Sequence, residues 1–252
     1  MRDLTIGSLA EFELALRAVA ERHCVFRGED ATGYPLRPRV GRVEHAADVS
    51  PTEQQLLEEF KALAQPRLPI TPTDDWEWLA LAQRHGLATR LLDWTPNPLV
   101  AAFWAIQEPH RGGDRVLYVL DCDGMPTGPI RGASPFDVRA VTLYRPARIG
   151  PRLLAQCGAF TVHPDPTASF ESAGLERWVL DHRTLTGLCL TVDGLGTSDE
   201  AVFLCDLDFV CRKLNWDWEI ETLADGVPIA RTGVTQGDAP PTPARREFHG
   251  SP

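Results

Sequence analysis

Apolar positions recur at helical spacing near the start of the chain and again after a polar loop. Ser8 followed by Glu11 has the pattern of a capping box, and it opens a predicted amphipathic helix that ends near His23. The segment 50–53, Ser-Pro-Thr-Glu, repeats this pattern with proline at the first helical position. The predicted apolar stripe of this second helix is Leu56, Phe60 and Leu63.

Two further helices are predicted to lie deep in the core. One begins near Thr73, where two aspartates favour the positive end of the helix dipole, and it stops at Gly86. Its apolar residues surround most of the helix axis, which indicates burial. The other runs from Leu99 to Ile106 and follows Asn97, a residue type that caps helices.

The remaining periodic segments predict short strands and two later helices. A strand runs into a turn at the segment 24–28, and a clear buried strand spans 115–120. Shorter extended segments are predicted at 87–95, 159–163 and 178–180, and helices at 185–195 and from Asp206 through Leu214. Helices interleaved with short strands that do not alternate regularly favour an α+β fold over a doubly wound sheet.

Composition divides the chain unequally. Its 252 residues, 43% of them hydrophobic, are enough for one sizeable core. After Glu221 the sequence changes to Gly, Pro, Thr and Ala with few large apolar residues. We therefore predict a single domain over residues 1–222 and a largely disordered tail over 223–252.

Charge and cysteine content restrict the class of protein. A net charge of −10 does not indicate nucleic-acid binding by bulk electrostatics. The N-terminus has no signal-peptide pattern, and no apolar run reaches membrane-spanning length. The six scattered cysteines and the lack of paired histidines at ligand spacing predict reduced thiols, a cytoplasmic location and no metal site.

Arg27 is the first candidate for binding chemistry. It ends a predicted strand beside Gly28, and its planar guanidinium fork can bind two oxygens of a phosphate, while the glycine lets a ligand approach the backbone. The alternative is that Arg27 pairs with Asp93 or Glu29 to stabilise the core.

The segment 89–95 places charged side chains between two very apolar helices, where they are unfavourable unless paired or functional. Asp93 could orient a ribose hydroxyl or act as a general base, and Thr89 or Thr95 could bind the ligand. Alternatively, Asp93 caps the turn before proline and neutralises Arg90. Trp94 could stack on a flat ring, but a core position is favoured.

Histidine and glutamine side chains complete the candidate set. His85 precedes a glycine that ends a helix, so capping competes evenly with catalysis. Gln156 and His163 flank a short predicted strand and could face the same cleft, although a structural role is favoured for His163.

Together, three segments of the chain resemble the FRG domain, which takes its name from a Phe-Arg-Gly triplet. The first is the triplet at 26–28, followed by Tyr34, Leu36, Pro38 and Arg42. The second is the segment 78–98, which reads W-x-x-L-A-Q-R-H-G-L-A-T-R-L-L-D-W-T-x-N-P, and the third is Arg148-Ile149 followed by the segment 156–164. The resemblance covers roughly residues 12–214.

The layout is also similar to that of arginine-specific ADP-ribosyltransferases. This similarity implies a split, ADP-ribosyltransferase-like sheet flanked by helices, NAD as the substrate, an unidentified acceptor, and a toxin or phage-defence role with a possible antitoxin or defence partner. The implied catalytic residues are Arg27, Asp93 and Gln156. The implied binding residues are Phe26, Gly28, His85, Thr89, Arg90, Trp94, Thr95, Phe160 and His163.

Gln156 stands where this resemblance implies a catalytic glutamate. A glutamine side chain cannot accept a proton as a carboxylate does. Either another carboxylate takes over, with Asp93, Glu29 and Glu171 as candidates, or the domain binds a nucleotide or phosphate without turning it over.

Overall fold

The computed structural model describes residues 1–43, 49–106, 113–130, 132–146 and 158–194. This part of the chain contains five α-helices and eight β-strands, so the predicted α+β fold is confirmed. The helices are α1 Leu9–Val19, α2 Ser50–Ala64, α3 Asp75–Arg84, α4 Pro98–Ile106 and α5 His182–Gly194. The strands are β1 Arg2–Ile6, β2 Cys24–Glu29, β3 Leu91–Trp94, β4 Arg115–Asp121, β5 Thr127–Gly128, β6 Thr142–Tyr144, β7 Ala159–Val162 and β8 Leu175–Leu180.

The strands form two four-stranded sheets. The first has the order β1-β8-β4-β2 and the second the order β3-β7-β6-β5. The sheets meet at a bridge between Phe26 and Thr95, whose backbone amides each donate to the other's carbonyl at 2.7 and 2.8 Å. The predicted split of the sheet is thus present, and the bridge brings the ends of β2 and β3 together.

Three helices cover one face of the first sheet. Phe12 of α1, Ala101 of α4 and Leu188 of α5 belong to one buried cluster with Phe26 and Trp178 of the sheet. Residues of the opposite face alternate with these, as strand geometry requires. Val25, Tyr118 and Leu175 pack instead with Trp94 and Ala159 of the second sheet.

Helices α2 and α3 cover the second sheet. The α3 residues predicted to surround its axis are all buried. The predicted stripe of α2 is displaced, because Glu53 and Leu57 are its buried residues and Leu63 is 67% exposed. The inward face of α2 is formed by Glu53, whose carboxylate binds the guanidinium of Arg90, by Leu57, and by Phe60 of the predicted stripe.

Helix starts are set by local side chains in three of the predicted places. Ser8 accepts a hydrogen bond from the Glu11 amide at the start of α1, and Asp74 accepts one from the Glu77 amide at the start of α3. Asn97 accepts one from the Leu99 amide at α4. The capping box predicted for α2 is wrong, because no side chain caps that helix and its glutamate faces the core.

Some elements differ from the sequence patterns. Strand β1 has only Leu4 and Ile6 as apolar residues, and β5 and β6 have two and three residues, so the sequence patterns predict none of the three. The predicted helix from Asp206 to Leu214 and the tail 223–252 lie outside the described residues. The division at residue 222 therefore stays a prediction.

Gly28 allows α4 to pack closely against the first sheet. A Cβ atom at this position would lie 1.9 Å from the carbonyl oxygen of Ala101 and 2.7 Å from the amide nitrogen of Ala105. Any side chain here would push the helix away from the strand.

We expect Gly28→Ala to lower the free energy of unfolding by about 1–3 kcal/mol, because the added methyl group overpacks the sheet against α4. Gly33→Ala is the matched control, since a Cβ there meets nothing within 4 Å. Urea unfolding of both variants measures the difference. Equal unfolding midpoints would show that α4 can move without loss of stability.

Candidate functional site

The second half of β2 and the end of β3 place Arg27 between two acidic residues. Its Nε donates to Glu29 Oε1 at 2.8 Å, and its Nη2 lies 2.7 Å from the same oxygen. Its Nη1 donates to the Asp93 carbonyl oxygen at 3.0 Å and lies 3.9 Å from Asp93 Oδ2. Both pairings considered from the sequence are therefore present.

The guanidinium of Arg27 is firmly cationic. Burial opposes its charge, but the carboxylates of Glu29 and Asp93 raise the pKa of Arg27 above its usual value. The side chains of Arg27 and Glu29 are only 16% and 17% exposed, whereas that of Asp93 is 52% exposed. Asp93 is thus the accessible carboxylate of this cluster.

A relay of side chains orients Asp93. The Leu91 amide donates to Thr89 Oγ1 at 3.2 Å, and Thr89 Oγ1 donates to Gln83 Oε1 at 2.6 Å. The amide of Gln83 then donates to Asp93 Oδ2 at 2.7 Å. Thr89 is fully buried, so the relay holds the Gln83 amide from its buried side. The Asp93 carboxylate at the other end of the relay is half exposed to solvent. We call Arg27, Glu29, Gln83, Thr89 and Asp93 the Arg27–Asp93 cluster.

Arg90 does not belong to this cluster. Its side chain is 0% exposed, Nε donates to Glu53 Oε2 at 2.9 Å, and Nη2 donates to Ser50 Oγ at 2.8 Å. Its guanidinium also lies 4.6 Å from the ring centroid of Phe136. Glu53 rather than Asp93 neutralises Arg90, so the alternative pairing considered from the sequence is wrong. The ligand-binding role of Arg90 stays a prediction.

Trp94, Phe160 and His163 are also core residues. Trp94 Nε1 donates to Thr161 Oγ1 at 2.9 Å, and the same oxygen lies 2.9 Å from His163 Nε2. Phe160 is 0% exposed. Burial and the charge of Arg90 lower the pKa of His163 to about 4, so its imidazole is neutral at pH 7. These three side chains cannot contact a ligand in the cluster without leaving the core.

The other predicted residues take positions around the junction of the sheets. His85 is the exposed C-cap residue of α3, before Gly86 with its φ of 86°. Thr95 is buried and its Oγ1 accepts from the Asn97 amide at 3.2 Å. Phe26 lies in the helix-covered core, and α4 fills the space beside Gly28 that a ligand was predicted to use. Gln156 lies outside the described residues.

Gln83 is the member of the cluster that sequence reasoning missed. It stands on α3 in the Leu-Ala-Gln segment, ten positions before Asp93. The signal that could have found it is its place directly after the buried run 78–82 of α3, where a half-buried amide needs hydrogen-bond partners.

Other polar features lie elsewhere. Among the described residues, Asp114, Asp181 and His182 form a group with metal-ligand atoms within 4.8 Å of one another. Arg183 already binds the Asp181 carboxylate through two nitrogens, so its charge is compensated. An open depression of about 710 Å³ beside the start of α3 is lined by Trp76 and Ile130 and contains none of the predicted site residues.

The described part of the chain has no helix that is both long and apolar enough to cross a membrane. The fold and the site define an α+β protein in which the ends of two sheets bring an arginine beside an accessible aspartate. The sequence matches the FRG domain family over residues 22–113, and the chain therefore carries an FRG domain. The match contains both β2 and β3 and hence the whole Arg27–Asp93 cluster. No curated protein and no solved structure matches the chain.

Proposed function

We propose that this FRG domain binds NAD or a related nucleotide at the Arg27–Asp93 cluster, cleaves the nicotinamide–ribose bond, and transfers ADP-ribose to an acceptor. The observation that carries the proposal is an accessible carboxylate, held in place by a buried relay, next to an arginine fork. A toxin or phage-defence role, with an antitoxin or defence partner, belongs to the same proposal.

The chemistry assigns one task to each charged group. Arg27 binds the diphosphate, and Glu29 must swing away from the guanidinium to admit it. Asp93 stabilises the positive charge that develops on the ribose as the C1′–N bond breaks and its electron pair leaves with nicotinamide. A hydroxyl of the acceptor or of water then forms the new C1′–O bond, and its proton passes to Asp93.

The second candidate is a non-catalytic nucleotide- or phosphate-binding module. One observation favours it: Trp94 and Phe160, the aromatic residues of the implied binding set beside β3 and β7, are both in the core, where neither can clamp the nicotinamide ring. The module would bind the same ligand through Arg27 and release it unchanged.

Incubation of the purified protein with NAD, with and without cell lysate, separates the two candidates. We expect free nicotinamide to accumulate, measured by chromatography against a protein-free control, and NAD to raise the unfolding temperature. A thermal shift without nicotinamide release in either condition would exclude the transferase and support the binding module. If NAD causes neither nicotinamide release nor a thermal shift, both candidates are overturned.

A further inference from the structure

Four polar side chains lie in register across the first sheet. Strand pairing places Asp3 opposite Arg177, and Arg177 opposite Tyr118. Tyr118 is in turn opposite Arg27. Tyr118 packs with the second sheet, whereas its neighbour Leu117 packs with the helices, so these residues project from the face without helices. We call Asp3, Arg177, Tyr118 and Arg27 the polar row.

Arg177 is bound in the polar row much as Arg27 is bound in its cluster. Its Nη1 lies 3.3 Å from Asp3 Oδ2, and its Nη2 donates to the Thr32 carbonyl oxygen at 3.1 Å. The side chain is 19% exposed and that of Asp3 is 60% exposed. The counter-ion of Arg177 is therefore a surface carboxylate that a ligand can displace.

Tyr118 lies between the two arginines. Strand pairing places it opposite both, and the charges of Arg177, Glu29 and Arg27 all act on its hydroxyl. Burial nevertheless raises the pKa of Tyr118 above its usual value, so the phenol is neutral near pH 7. The row therefore holds two arginines on either side of one neutral hydroxyl, and the phosphates of a diphosphate can replace the carboxylates of Glu29 and Asp3 that now pair with them.

We infer that Arg177 is a second anion-binding residue and that the polar row recognises a diphosphate, with one phosphate at each arginine. Neighbouring strands lie about 4.8 Å apart, so the backbones of Arg27 and Arg177 are roughly 10 Å apart and their forks can flank two linked phosphates. A monophosphate reaches only one fork. This inference rests on the proposed function, because it names the substrate class of the same site.

The first test compares ADP-ribose with AMP by calorimetry on the full chain. Arg177→Gln is expected to weaken ADP-ribose binding about tenfold or more and AMP binding by less than about threefold, since only the diphosphate uses both forks. Arg183→Gln is the matched control, because Arg183 is 75% exposed and pairs with Asp181 outside the polar row. This control should bind both ligands like the wild type.

A second variant acts in the opposite direction and leaves the arginine in place. Asp3→Asn removes the counter-ion of Arg177 and is expected to tighten ADP-ribose binding by about threefold. Asp3→Asn therefore tests whether Arg177 binds the diphosphate even if the Arg177→Gln variant does not fold.

Unchanged ADP-ribose affinity in Asp3→Asn or in folded Arg177→Gln overturns the inference. Equal losses of AMP and ADP-ribose binding, or a wild type that binds neither, also overturn it. These affinities are independent of turnover, so a lack of nicotinamide release from NAD would refute the transferase while leaving the diphosphate site standing.

Discussion

Replacing Glu53 by glutamine is expected to lower the free energy of unfolding by about 3–5 kcal/mol, because it leaves the buried cation of Arg90 without a counter-ion. Glu53 is 1% exposed and Arg90 0% exposed. Glutamine keeps the size of the side chain and one acceptor for the Arg90 amide. The loss therefore reports the missing charge rather than a cavity.

Removing one partner of this buried ion pair is expected to cost more stability than the intact pair contributes. Burial raises the pKa of Glu53, and Arg90 opposes this through its charge and hydrogen bonds. Much of the attraction therefore offsets the desolvation of the two charges. We expect the double variant Glu53→Met, Arg90→Met to be more stable than Glu53→Gln, since no charge is left unpaired.

Glu59→Gln is the matched control for the stability measurement. Glu59 lies on the same helix, is exposed, and accepts a hydrogen bond from Gln55. Its replacement should change the unfolding free energy by less than about 0.5 kcal/mol. Chemical denaturation of the three variants measures the differences, and equal midpoints for Glu53→Gln and Glu59→Gln would contradict a structural role for the Glu53–Arg90 pair.

Helix boundaries could be predicted from the sequence because their signals are local. Asp74 and Asn97 cap helices through amides two or three positions away, and Gly86 ends α3 with a left-handed backbone. The α2 boundary shows the limit of this reasoning. Its Ser-Pro-Thr-Glu segment begins a helix as predicted, but the side chains of Ser50 and Glu53 bind the distant Arg90 instead of capping the helix.

The candidate site could be predicted only in part. Arg27 with Glu29 and Asp93 follows from strand ends and charge. The core position of Arg90 could not be predicted, because its partner Glu53 lies 37 positions away on α2, whose packing the sequence pattern does not determine. Neighbouring motif residues also separate by strand alternation: Asp93 points to solvent while Leu92 and Trp94 point inward. One motif therefore contains both a site residue and core residues.

Asp93→Asn is expected to lower the rate of nicotinamide release by about 10²–10⁴-fold, because the amide can neither stabilise the ribose cation nor take up the acceptor's proton. Asparagine keeps one side-chain oxygen, which can accept from the Gln83 amide once it takes the place of Asp93 Oδ2. Asp123→Asn is the matched control, because Asp123 is an exposed aspartate paired with His23 away from the cluster. Release by this control should equal that of the wild type.

A substitution at Asp93 distinguishes a catalytic, a ligand-binding and a purely structural role of this site more sharply than one at Arg27 does. Loss of Arg27 would strand the half-buried Glu29, so unfolding of that variant could not distinguish a ligand-binding arginine from a structural one. Asp93 is 52% exposed, and its replacement leaves no buried charge unpaired. A folded Asp93→Asn that binds NAD but releases no nicotinamide identifies a catalytic carboxylate. Weaker binding with an unchanged rate at saturating NAD indicates a ligand contact alone, and an unfolded variant makes the whole cluster structural.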